Sequence, residues 1–206
     1  MDLPNYYTVA ILLNIFAMFI MIFSLRFNVV LDRERKQMAA LLFGVIIVTS
    51  FCEWCGNALN GAAPSLIPLH VLVKTVELSV TPFIGLLCAK SLSPKVVLGK
   101  TAFVLGIVNV TLEMLSAFTG QIFYVDAQNY YHHGAFYGIY TVFCVGCMGV
   151  FLLESLRVFK RYQQSGGILL GALTVFLGAG IAVQMLFRVQ LLWPTVGLAA
   201  VMLYKF

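Results

Sequence analysis

Apolar residues fall into seven long runs separated by short polar connections: 6–27, 38–59, 66–90, 96–118, 134–159, 168–187 and 191–206. A helix rises about 1.5 Å per residue, so runs of about 17–25 residues can cross a hydrocarbon core of about 30 Å. The connections differ in kind. Residues 28–37 are short and charged, Asn60-Gly61-Ala62-Ala63-Pro64 is a tight turn with glycine and proline as breakers, and Ser91-Leu92-Ser93-Pro94-Lys95 is another turn. Residues 119–133 form the one long loop. Its turn residues Asp126-Ala127-Gln128-Asn129 stand between β-prone flanks, which predicts a small hairpin. Phe123, Tyr124, Tyr130 and Tyr131 make this loop aromatic. Such residues favour the membrane–water interface, as a cap over the helices or as a lid over a pocket.

The positive charges orient the runs. The first, third and fifth connections carry Arg26, Arg33, Arg35 and Lys36, then Lys90, Lys95 and Lys100, then Arg157, Lys160 and Arg161; the second, fourth and sixth carry only Arg188. Loops rich in Lys and Arg stay in the cytoplasm. The predicted fold is therefore an all-α membrane protein, a seven-transmembrane helix bundle with its N-terminus outside and its C-terminus cytoplasmic. A multi-pass protein of the plasma membrane is the expected setting, with the lipid bilayer as first partner. Composition agrees: 61% of residues are hydrophobic and 10% charged, against about 25% charged in soluble domains. The formal charge of +5 follows from loops that face anionic lipid, so no nucleic-acid partner is read from it. Residues 1–5 lack the basic start of a cleavable leader, and the connections leave no room for a soluble domain within 1–206. The chain ends at Lys205-Phe206, straight after an apolar run, so a cytoplasmic region is expected beyond it.

Ionisable side chains inside a span cost of order 2.5–3.5 kcal/mol each on insertion scales, so each calls for a partner or a purpose. Here they converge on one depth. Glu53 in the second run and Glu113 in the fourth lie roughly 10–12 Å from the outer mouth at about 1.5 Å per residue. Lys74 in the third run is as deep, and Glu77 shares its face at i+3. Asn57 stands at i+4 from Glu53 and Asn109 at i−4 from Glu113, while Asn14 and Gln184 fall at similar depths. His70 lies one turn above Lys74. A hydrogen-bonded girdle between helices would use such groups structurally. Three glutamates against one lysine strain that reading, because unpaired charges in low dielectric must be neutralised. The predicted ligand pocket is outward-facing and mildly acidic, built from Glu53, Asn57, His70, Lys74, Glu77, Asn109, Glu113 and Gln184 around the Lys74 ammonium.

Other residues are read as structural. Glu154 is expected to pair locally with Arg157. Cys52-x-x-Cys55 and Cys144-x-x-Cys147 lie inside helices, in poor geometry for disulfides, and act as small hydrophobes, as does Cys88. Pro82 in the third run is expected to kink its helix. No metal site, cofactor or catalytic residue is predicted: no His-Glu-x-x-His or comparable spacing occurs, and His132 and His133 are adjacent. Lys205, the only lysine of the seventh run, sits at its inner end and argues against a retinal protein.

Several segments resemble a known family. They are the stretch around Glu53, the run from Lys74-Thr75-Val76-Glu77 through Pro82, the run from Leu115-Ser116 through Tyr124-Val125-Asp126, and Tyr130-Tyr131-His132-His133-Gly134. Together they resemble the N-terminal seven-helix sensory region of bacterial histidine kinases and GGDEF-type diguanylate cyclases, across essentially the whole chain. His133 departs from the Tyr-His-Arg-Gly ending of the cyclase versions. The resemblance implies a signal-input module whose seventh helix runs into a cytoplasmic output, working as a homodimer. Residues 1–206 contain no Gly-Gly-Asp/Glu-Glu-Phe string, phospho-acceptor histidine region or nucleotide-binding glycine loop. The expected function is thus detection of an extracytoplasmic small molecule or ion, without enzymatic activity in this region. The alternative is a small proton- or cation-coupled transporter, which intramembrane prolines and carboxylates also fit.

Overall fold

The computed structural model describes residues 3–29, 31–92 and 99–161, with positions 175, 196 and 197. The protein is mostly helical: α1 (Leu3–Leu25), α2 (Arg33–Leu59), a short 3-10 turn (Pro64–Leu66), α3 (Ile67–Leu92), α4 (Gly99–Thr119), the strands β1 (Phe123–Val125) and β2 (Tyr131–His133), and α5 (Tyr137–Arg161). Apart from Val175, Val196 and Gly197, the predicted sixth and seventh runs, with Gln184, lie outside the described residues.

Four helical stretches, Tyr7–Leu25, Arg33–Leu59, Pro64–Ser91 and Tyr137–Val158, are long and apolar enough to cross a membrane, which marks a membrane protein. The apolar stretch of α4, Val104–Thr119, is shorter. Side-chain placement agrees with lipid contact. On α1, Ile11, Asn14, Met18 and Leu25 turn inward while Leu12, Leu13, Phe16, Phe19, Ile20 and Phe23 are exposed. On α4 the usual arrangement of a water-soluble helix is inverted. Its buried face is Gly106, Asn109, Glu113 and Ser116, and its exposed face is Val104, Leu105, Val108, Leu112 and Leu115. Only an apolar solvent leaves that many large hydrophobes outside.

Helix α3 is central, packing on α2, α4 and α5, with α1 laid against α2. Glycines allow the closest approaches. A Cβ at Gly85 would fall 2.9 Å from the Cys147 backbone of α5, and one at Gly106 would fall 2.6 Å from the Phe83 ring. At the end of the bundle away from the hairpin, Met18, Leu25, Leu42, Phe43, Ile46, Ile84, Cys88 and Phe151 form one apolar core, which Val196 joins. There Glu154 is buried and takes a hydrogen bond from Arg157, the predicted local pair. All five cysteines are free thiols.

Helix boundaries differ from the sequence pattern where capping or loop bonds decide them. Helix α2 begins at Arg33 rather than 38, because the Asp32 carboxylate accepts from the Arg35 N–H at 2.8 Å and caps it. Helix α5 begins at Tyr137 rather than 134. The N–H groups of Gly134 and Phe136 are taken by the Ile122 and Gln121 carbonyls, so the chain is still in the loop there.

The predicted hairpin is present, antiparallel, with Phe123 opposite His133, Tyr124 opposite His132 and Val125 opposite Tyr131. Asp126 closes its turn: one carboxylate oxygen accepts from the N–H groups of Gln128 and Tyr130, both at 2.9 Å, and the other pairs with His132 at 2.8 Å. These bonds, first that from Tyr130, hold the half-buried Asp126 carboxyl below its ordinary range. Ser116, near the end of α4, ties the helix to β1 by accepting from the N–H groups of Ile122 and Phe123.

Candidate functional site

The hairpin is bolted to the α2–α3 turn through one side chain. Asn129, fully buried and at φ 65°, donates its amide to the Leu59 carbonyl at 2.9 Å and its backbone carbonyl accepts from Gly61. Asparagine is among the few residues that tolerate this backbone region. Its Oδ1 faces His70 Nδ1 at 2.8 Å. Since the Asn129 amide NH2 is directed at backbone carbonyls, Oδ1 is the acceptor and His70 Nδ1 carries the proton. His70 Nε2 is then a bare lone pair, buried and without a hydrogen-bond partner among the described residues.

Beneath this cap, α3 presents His70, Lys74 and Glu77 on one face, at i, i+4 and i+7. Lys74 Nζ donates to Glu77 Oε2 at 2.8 Å, with both side chains largely buried. The same ammonium lies 5.0 Å from the centre of the Tyr131 ring, a cation–π contact. Its methylene stem lies on Gly56 of α2, where an added Cβ would fall 2.5 Å from Lys74 Cε. Gly56 therefore admits the lysine between the helices. Glu53, one turn away on α2, is buried within electrostatic reach of Lys74 and Glu77, and the Tyr7 hydroxyl of α1 donates to it. Its Oε2 has no partner among the described residues. Asn57 is exposed at the rim and donates to Tyr7 at 3.0 Å.

Asn109 does not point its amide at this cluster. It donates to the Leu78 carbonyl of α3 at 3.3 Å. Pro82, inside α3, has no N–H to offer the carbonyl four residues earlier, which is that of Leu78. Asn109 therefore satisfies a carbonyl that the proline leaves free. Asn14 likewise serves packing, donating to Ser50 Oγ at 3.2 Å.

Glu113 is the exception. It is fully buried on α4, and neither carboxylate oxygen has a hydrogen-bond partner among the described residues. The expectation that all three glutamates share the Lys74 ammonium is thus corrected: Lys74 is bonded to Glu77, with Glu53 nearby, and no bond joins it to Glu113. Glu113 lies within electrostatic range of Tyr131, Tyr137 and Cys144. The Tyr131 and Tyr137 hydroxyls are neighbours, and burial pushes the Tyr131 phenol well above its ordinary value. His133 stacks on Tyr137 at 3.6 Å between ring centres, almost parallel. A cleft of about 290 Å³ opens between α3, the end of α4 and β1, lined by Val71, Ser116, Ala117, Phe123 and Tyr124. Ser116 lies one turn from Glu113 on the same buried stripe.

Tyr7, Tyr131, Tyr137 and Asn129 were not among the sequence candidates. Residues 1–206 of this helical membrane protein thus enclose a capped, acidic, aromatic cluster at one end of the bundle. No protein-family model, curated protein or solved structure matches the chain.

Proposed function

We propose that the chain is a membrane signal-input module: seven helices in the plasma membrane, hairpin outside and C-terminus cytoplasmic, sensing a small extracytoplasmic ligand. In this reading the seventh helix relays occupancy to a cytoplasmic signalling partner or domain of histidine-kinase or diguanylate-cyclase type. The observation that carries it is Glu113, a buried carboxylate beneath a bolted hairpin with no hydrogen-bond partner among the described residues. A purely structural girdle would satisfy its own members, because an unmet buried charge is costly.

The charge distribution supports the orientation. Arg26, Arg33, Arg35, Lys36, Lys90 and Arg157 all belong to the end of the bundle away from the hairpin. Val196 and Gly197 support a seventh helix beside α1, since Val196 sits in the apolar core and Gly197 lies against Asn14. A ligand shifts such a bundle only if it binds two packings with different affinity. Helix α3, which touches α2, α4 and α5 and carries Pro82 within it, is the element through which that difference would spread.

The test is a thermal-shift screen of small polar metabolites on the purified chain, paired with flux assays in proteoliposomes. The reading predicts a saturable stabilisation lost in Glu113→Gln and no transmembrane flux of the ligand. Accumulation of the ligand inside vesicles would replace the sensor with a carrier.

A further inference from the structure

From the unmet acceptors of the cluster and its aromatic walls, we infer that the Glu113 site takes a small organic ammonium, a primary amine entering through the α3–α4 cleft. This rests on the ligand-sensing reading above and names the chemistry of its ligand.

The first ground is the kind of atom left unsatisfied. At the hairpin end the buried unpaired atoms of ionisable residues are Glu53 Oε2, His70 Nε2 and both oxygens of Glu113. The carboxylate oxygens accept, and the Asn129 contact makes His70 Nε2 an acceptor as well. A ligand that meets Glu113 must bring donors. An alkylammonium brings three and one positive charge. The charge count asks for the same sign, since among the described residues Glu53, Glu77 and Glu113 have one lysine in this layer, Lys74, and it is paired with Glu77.

The second ground is the wall. Tyr131 and Tyr137 lie within reach of the Glu113 charge, and Tyr131 already offers its ring face to one ammonium, that of Lys74. Aromatic faces beside a carboxylate suit an organic cation. A hard metal ion asks for about six to eight oxygen ligands. Among the described residues no group of three His, Cys, Asp or Glu could hold a metal. The third ground is access. The cleft of about 290 Å³ reaches Ser116, one turn from Glu113, and within its mixed lining the side chains of Val71, Ala117 and Phe123 offer a surface for the alkyl part of a small amine.

The test uses the full chain in nanodiscs, titrated with a series from methylammonium to hexylammonium chloride and read by calorimetry and melting temperature. Sodium, potassium and magnesium chlorides at matched ionic strength, and sodium butyrate, are the comparison probes. Saturable binding of an alkylammonium is expected, weakened at least tenfold in Glu113→Gln and in Glu113→Asp, and unchanged in Glu154→Gln. The Asp variant keeps the charge and retracts it by one methylene, so it tests the site even where the Gln variant folds poorly. Absence of saturable binding by every ammonium, equal binding in the Glu113 variants, or the same response to inorganic cations would each overturn the inference. A different ligand class acting through Glu113 removes the amine and leaves the sensor. An ammonium that binds and is also carried across vesicles removes the sensor and leaves the site.

Discussion

The two ends of this bundle solve the same packing problem with opposite chemistry. Away from the hairpin, Met18, Leu42, Phe43, Ile46, Ile84 and Phe151 fill the space between α1, α2, α3 and α5, and the buried Glu154 has its arginine. At the hairpin end the same helices turn Glu53, His70, Lys74 and Glu77 inward, and α4 adds Glu113, which has no hydrogen-bond partner among the described residues. In a bilayer the apolar end gains little from leaving lipid, so its stability comes from close packing. The polar end depends on each charge finding its complement. Where the complement is missing from the chain, a ligand is the natural supplier.

The contrast breaks hardest at Lys74. Lys74→Ala should lower stability in detergent by about 3–5 kcal/mol, because Glu77 would stay buried without its counter-ion. The double change Lys74→Met with Glu77→Leu should recover most of that loss in chemical denaturation. At the other end, Phe43→Ala removes about 100 Å³ of side chain. At about 24 cal/mol per Å³ of unfilled space it should cost about 2 kcal/mol, and alkylammonium binding should be untouched.

Asn129→Ala strikes the bolt between hairpin and helices. It frees the Leu59 carbonyl and His70 and places alanine at φ 65°. A loss of about 1–2 kcal/mol is expected, with faster amide exchange confined to residues 120–134. Asn129→Gly, which keeps the backbone and loses the amide, should retain part of the fold stability but not the slow exchange. A gentler test concerns Asn109. Asn109→Ala should cost about 1 kcal/mol in the native chain and nothing in a Pro82→Ala background, where α3 satisfies Leu78 itself. Equal costs in both backgrounds would show that Asn109 has another duty.

The smallest effect is acid opening of the hairpin. Asp126 has a folded pKa below its ordinary value. Its contribution is therefore present above an unfolded value of about 3.9 and is lost as pH falls from there through the folded value. Amide exchange in 123–133 should quicken in that window, and Asp126→Asn should remove the pH dependence.

Much of this was legible in the amino-acid order. Runs of apolar residues predicted α1 to α5, and the 3–4 residue spacing of His70, Lys74 and Glu77 placed them on one face. Glu154 and Arg157 were predicted as a pair, and Asp126 to Asn129 as a turn. What escaped depended on contacts distant along the chain. Tyr7 comes beside Glu53, and the Tyr131 ring meets Lys74, across separations that no local period encodes. Asn109 looked like a companion of Glu113 because both share a helix face. Its real partner is a carbonyl exposed by a proline on another helix, so Pro82 was the clue. Helix α2 began early because Asp32-x-x-Arg35 is a cap, although its charges read as a loop.

The most direct measurement is the melting temperature of ligand-free Glu113→Gln beside the wild type in the same detergent. An unpartnered acid held for a ligand costs the empty protein stability, so neutralising it should leave the temperature equal or higher. A clear fall would mean that Glu113 already has a structural partner in the bundle, and the site would be a girdle rather than a receptor.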